Sequence, residues 1–269
     1  MTYRMPMPAV CDGTTYVEAR ITEASAEAVA AVNRDMSRGA IYDALLTWCA
    51  ETVEAFVSEA GEVSDRAGVR RIARALPFKS AYAVAMLGMA ETKGDDEVSG
   101  RYQCPQCGLQ VEGSERISAL ETDYADNASF EVELESPVEL ADRKTGELIE
   151  RVEAVTMRHP TLDDCIRAHK AHPDDEIEMQ FQTYVEALEA VNGRPQAAAW
   201  KASFGFIAFK KMKLRDARKV GQAAGDYGMR TSLERVCPKC FRRWEAELDL
   251  NDFFASGLRV QGAASSPRL

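Results

Sequence analysis

Ile41, Leu45, Trp48, Cys49, Val53, Phe56 and Val57 recur at spacings of three and four. That is the stripe by which a helix meets a core, and it predicts a helix over residues 41–60 closed by Gly61. A different rhythm rules the middle of the chain. Phe130-Glu131-Val132-Glu133-Leu134 alternates with period two, as a strand with one wet face does. Lys144-Thr145-Gly146 reads as the turn of a hairpin between residues 138–142 and 147–157.

The remaining elements follow from weaker cues. Residues 14–21 alternate and predict one short strand. Thr22 precedes an alanine-rich helical run over 23–33. A short helix is predicted over 69–75, and Pro77 opens another over 78–90. Residues 93–97 form a polar loop. Thr161, followed by Asp163 and Asp164, is an N-cap with acid in the first helical turn. Helices are then predicted over 176–191, ended by Asn192-Gly193, and over 197–210 and 214–227. The segments 98–111 and 235–250 each carry a cysteine pair, and the chain ends in a frayed tail over 257–269.

Composition narrows the possibilities. The 269 residues are 46% hydrophobic and 28% charged, as in a globular protein with room for a sizeable core. The net charge of −10 argues against broad phosphate binding. The longest apolar-leaning run, 81–90, is half what a membrane helix needs, and the first residues lack the apolar core of a secretory signal. Seven irregularly spaced cysteines are too few for a disulfide scaffold, which points to synthesis in a reducing cytoplasm.

The sharpest chemical signal is Cys104-Pro105-Gln106-Cys107-Gly108 together with Cys237-Pro238-Lys239-Cys240. Two residues between cysteines let both sulfurs face one point from a tight turn, and two such turns supply the four thiolates of a structural zinc site. The flanks of each pair fit a hairpin: after Cys240, Trp244, Ala246 and Leu248 share one face and Arg243, Glu245 and Glu247 the other. The 129 residues between Cys107 and Cys237 exceed the spacing of a compact finger. One zinc shared by both pairs, with everything between as an insertion, is the favoured reading. Separate binding, redox dithiols and idle cysteines stand as alternatives.

Other candidates read as ordinary. Cys49 lies on an apolar stripe, and Cys11 and Cys165 have no histidine at a recognisable spacing. His169 and His172 fit a helix C-terminus, and His159 is given no role. The pairs Asp95-Asp96, Asp163-Asp164 and Asp174-Asp175 fit capping better than acid–base chemistry. The basic run 210–219 reads as a solvated helix face interrupted by Asp216. No P-loop, GxGxxG, HExxH or GxSxG motif occurs.

The order of short motifs is itself informative. Arg74-Ala75-Leu76-Pro77-Phe78-Lys79 precedes the first cysteine pair; Met157-Arg158-His159-Pro160-Thr161-Leu162-Asp163-Asp164 opens a helical block. The second pair leads to Leu250-Asn251-Asp252-Phe253-Phe254. Across residues 15–255 this resembles the baseplate hub and hub-assembly proteins of T-even-type tailed bacteriophages, with their Leu-Pro helix, R-x-P-T-x-x-D stretch and terminal F-F. One departure is Phe241, where the second cysteine turn of that family usually has glycine.

The resemblance implies a non-catalytic structural or chaperone-like role in building the phage tail. Its partners would be hub, tail-tube or tape-measure proteins, met in the host cytoplasm during assembly or in the virion tail. The expected fold is α+β: a strand and helices over 1–97, a split zinc ribbon from 98–112 and 235–250, an antiparallel β region over 128–158 and a helical block over 159–230. The expected metal ligands are Cys104, Cys107, Cys237 and Cys240, binding one Zn2+. A zinc-ribbon nucleic-acid binder, gripping through the cysteine turns and the run 210–219, is the second reading.

Overall fold

The structure is a computed structural model that describes residues 1–247 apart from Asp126 and Arg143. The frayed tail over 257–269, the terminal F-F and the end of the predicted 235–250 segment, Leu248 included, lie outside the described residues.

The first 97 residues hold more sheet than their pattern predicts. β1 (Thr2–Cys11), β2 (Thr14–Ile21), β3 (Val53–Ser58) and β4 (Gly61–Val63) form an antiparallel meander in the order β1-β2-β3-β4. Between and after these strands come α1 (Ala26–Ser37), α2 (Ile41–Thr52), α3 (Arg66–Ala75) and α4 (Phe78–Lys93). β1 escapes sequence pattern because Pro6 and Pro8 argue against a strand. It is an edge strand whose register with β2 breaks between Arg4 and Ala9, where prolines are tolerated.

The predicted helix over 41–60 is a helix only to Thr52. Val53 is extended, and Val53, Ala55 and Phe56 bury themselves from a strand instead. Spacings of three and four in this β-branched, aromatic stretch suit either element, and the sheet captures it. Likewise α1 starts later than predicted, capped by Ser25 rather than Thr22.

α4 is apolar all round from residue 81 to residue 90, and that stretch runs through the middle of the first core. The Trp48 indole N–H donates to the Ala85 carbonyl at 3.0 Å, and the Cys49 thiol lies 3.3 Å from the Ala81 carbonyl. Gly88 of α4 lies directly against Thr52 of α2. A β-carbon there would sit 2.5 Å from Thr52 Oγ1 and 2.6 Å from its Cβ. Gly88→Ala should therefore destabilise the fold by about 1–3 kcal/mol, although alanine is the better helix former. The midpoint of urea unfolding measures it.

β5 (Glu97–Gln103) and β6 (Gln110–Arg116) form a two-stranded ribbon. A 3₁₀ turn over Ile117–Ala119 leads to β7 (Thr122–Asp123). The predicted hairpin is β8 (Ser129–Ala141) and β9 (Leu148–Arg158), followed by α5 (Leu162–Ala171) and α6 (Glu176–Ala187). The helix predicted over 176–191 stops at Ala187. Leu188–Val191 becomes β10, paired on β9, and β11 (Arg194–Pro195) completes a sheet in the order β11-β10-β9-β8. Asn192 and Gly193, both at positive φ, form the turn between β10 and β11 rather than a helix end.

α7 (Ala198–Trp200), a π-helical turn over Lys201–Gly205, α8 (Phe206–Lys211) and α9 (Leu214–Gly225) pack on this second sheet. β12 (Gly228–Met229) pairs with β7, and β13 (Ser232–Val236) with β14 (Arg243–Glu247) makes a second ribbon. The chain is thus mixed α+β, with one core around α4 and another under the β8–β9 sheet.

Asp216 corrects the reading of residues 210–219 as a solvated face that it interrupts. Its carboxylate is fully buried and accepts hydrogen bonds from the Glu135 and Ser136 amides, where the pairing of β8 with β9 breaks. Those amides have lost their ladder partners, and Asp216 replaces them.

The two cores meet at a joint built from the two proline motifs. Pro77 and Thr161 form an antiparallel bridge; the Phe78 amide donates to the Pro160 carbonyl and the Leu162 amide to the Leu76 carbonyl, both at 2.8 Å. Thr161 and Asp164 close a reciprocal capping box at the start of α5. Arg158 holds Asp164 in a two-pronged pair at 2.5 and 2.9 Å, Arg167 reaches the same carboxylate at 2.7 Å, and Arg74 of α3 pairs with Asp163. Burial opposes the charge on Asp164, but Arg158 and the Thr161 amide and hydroxyl outweigh it and hold the carboxyl below its usual range.

Candidate metal centre

Each cysteine pair sits at the tip of a ribbon, and the two tips share one hydrogen-bonding plan. In the first, the Cys104 amide donates to the Leu109 carbonyl and the Gly108 amide to the Cys104 carbonyl, both at 2.9 Å. In the second, Cys237 donates to Arg242 and Phe241 to Cys237, again at 2.9 Å. Proline after the first cysteine fixes each turn, and the residue after the second cysteine takes positive φ: 69° at Gly108 and 58° at Phe241.

The four sulfurs converge. Cys104 Sγ lies 3.6 Å from Cys240 Sγ, and Cys107 Sγ lies 3.6 Å from Cys237 Sγ. All four are within 4.8 Å of one another, and none is in a disulfide. An ion in a tetrahedron of thiolates at about 2.3 Å needs sulfurs about 3.8 Å apart. Two of the sulfur pairs stand close to that spacing already. The four predicted ligands, from turns more than a hundred residues apart, thus form one group that could bind a metal ion.

The electrostatics point the same way. Burial opposes ionisation of Cys104 and Cys237, but backbone amides inside each turn and the neighbouring sulfurs outweigh it, bringing Cys237 to about 6. At Cys240 the Arg242 amide favours the thiolate, yet burial and the other three sulfurs push the thiol up to about 12. The amides prepare negative charge, and the crowding of sulfurs prevents all four from carrying it at once. A cation at the centre removes that conflict.

The ribbons are locked together beside the sulfurs by Arg235, whose importance the spacing of the motif does not reveal. Its guanidinium lies over the Tyr102 ring at 4.6 Å and pairs with Glu115 at 2.6 Å. A β-carbon at Gly113 would stand 3.1 Å from that guanidinium, so glycine leaves the room in which it lies. An arginine two residues before a cysteine on an inward-facing ribbon position is the only cue the sequence offers. On the second ribbon, Ala246 is buried and Trp244 half-buried, facing inward as their alternation predicts.

The other candidates lie elsewhere. Cys11, Cys49 and Cys165 are buried apart from the cluster; burial pushes the Cys49 thiol far up and the Cys165 thiol up to about 12. His169 contacts the Gly39 carbonyl, and His172 stacks on Phe206 with Glu178 at 3.3 Å. His159, given no role from sequence, is a core residue. It is wedged between Phe130 and Tyr227 with Nδ1 3.2 Å from the Ala224 carbonyl, and burial lowers its pKa.

Half of the cations in the basic run are engaged by carboxylates, Lys210 by Glu178 and Arg215 and Lys219 by Glu135, and Lys211 donates to the Glu139 carbonyl. A cleft of about 880 Å³ flanks the joint between the cores. The arginines on its walls are likewise paired, Arg71 with Asp12, Arg74 with Asp163, and Arg158 with Asp164.

Among the described residues, no helix is long and apolar enough to cross a membrane. Compared with family models, curated proteins and solved structures, the chain matches none of them.

Proposed function

We propose that this chain is a non-catalytic assembly protein of a phage tail, a component or chaperone of the T-even-type baseplate hub, held in shape by one structural zinc. The observation that carries the reading is where its short motifs fall. Both cysteine turns meet at the metal centre, and the Leu76-Pro77 and Arg158-x-Pro160-Thr161-x-x-Asp164 stretches bind each other at the joint between the cores. Residues whose order resembles that family are thus structural joints, and their work is to hold a scaffold. Four soft thiolates in a tetrahedron favour zinc over harder cations, and a closed four-ligand site is the structural kind.

Two measurements test this. Co-expression with the tail-tube, tape-measure and hub proteins of the same phage should yield a stable complex with at least one of them. Deleting the gene should abolish intact tails. A chain that binds none of these proteins, in a phage whose tails form without it, has a different function.

Zinc also predicts a pH dependence. Protons compete with the ion for the thiolates, so the stabilisation it provides is present at neutral and alkaline pH and is lost on acidification. Thermal unfolding with and without a chelator should differ clearly at about pH 8 and converge toward about pH 5.

A further inference from the structure

The two cysteine turns share the same pair of backbone hydrogen bonds but differ in the residue at the left-handed position. Gly108 occupies the left-handed position of the first; Phe241 occupies that of the second, at φ 58°. An aromatic residue is rare there because its Cβ crowds the following carbonyl. The ring is also 78% exposed, the most exposed large apolar side chain among the described residues. Backbone and solvent alike favour glycine at this point, and among the described residues neither the sulfurs nor either core uses the ring.

The surroundings define what would use it. Val236 is 48% exposed and faces Arg243 across the ribbon. Pro238, Lys239 and Arg242 are exposed at the same tip. The result is a small apolar knob ringed by cations on a chain of net charge −10.

We propose that this tip is a docking site for a partner protein that offers an apolar pocket rimmed by carboxylates. Phe241 is the anchor, and Lys239 and Arg242 seat it by charge. This deepens the assembly reading and rests on it. A nucleic-acid strand fits less well. The site has one ring and a few cations at a point, with no track of charge, and the ribbons beside it carry Glu112, Glu234 and Glu245.

The test uses Phe241→Gly and Phe241→Asn in the full chain, since both residues accept positive φ and leave the four sulfurs in place. Metal content should be unchanged and Tm equal or higher. Affinity for whichever co-expressed tail-tube, tape-measure or hub protein binds the native chain should fall about 30-fold or more. Lys239→Glu with Arg242→Glu should weaken the same complex, and added salt should weaken the native one.

Full affinity in both Phe241 variants overturns the inference and leaves the assembly reading standing. A clear drop in Tm in both overturns it by assigning the ring to the fold. So does Phe241-dependent binding of a 20-nucleotide oligo-dT, or Phe241-dependent self-association in sedimentation. Failure of all these proteins to bind the native chain removes the assembly reading, and the inference with it.

Discussion

Replacing Cys104 or Cys237 by serine should release the metal completely and lower Tm by about 10 °C, with the two substitutions together scarcely worse than either alone. The reason is geometric. The sulfurs from the two turns interleave, Cys104 with Cys240 and Cys107 with Cys237 each at 3.6 Å, so three thiolates remaining from one and a half turns no longer close a tetrahedron. An ion held by the four sulfurs would also tie together segments more than a hundred residues apart, and a crosslink over so long a loop removes much freedom from the unfolded chain. A fall of that size in Tm corresponds to the loss of one structural site in a chain of this length. If the turns bound separate ions, each substitution would remove only its own, and their effects on Tm would add.

Asp164→Asn should be the most damaging single change away from the sulfurs, costing about 3–5 kcal/mol in equilibrium unfolding. The Asp164 carboxylate is fully buried and accepts from Arg158, Arg167 and the Thr161 amide and hydroxyl. An amide in its place turns one acceptor into a donor facing Arg158 and leaves a partly buried guanidinium without its counter-charge. It also dissolves the capping box of α5.

The same carboxylate sets a pH dependence. Its folded pKa is below the unfolded value, so its stabilisation is complete above about pH 4, where the unfolded carboxyl is also ionised. It is lost as pH falls through the folded pKa. Acid unfolding of the Asp164→Asn variant should lack that component.

How much of this is readable in the residues depends on how local the cause is. The cysteine turns are legible because their chemistry sits within four residues. Thr161 as a cap and the hairpin of β8 and β9 are legible for the same reason. The fate of Val53–Ser58 is not, since its apolar spacing fits a helix or a strand and a neighbouring strand decides. Leu188–Val191 is the same case, drawn onto β9 rather than continuing α6. β1 hides behind two prolines that only an edge strand admits. Asp216 reads as a break in a charged face because nothing in its neighbours announces the unpaired amides of β8, about eighty residues away. The mutual binding of the Leu76-Pro77 and Pro160-Thr161 motifs, and the seat of Arg235 on Tyr102, are likewise long-range and invisible to spacing.

X-ray absorption at the zinc edge, recorded on the purified full-length chain, addresses the shared centre directly. One zinc per chain surrounded by four sulfurs at about 2.3 Å is the expected spectrum. Two sulfurs completed by oxygen or nitrogen neighbours, or a zinc content of two per chain, would mean that the turns do not share an ion, and would contradict a single centre built from both.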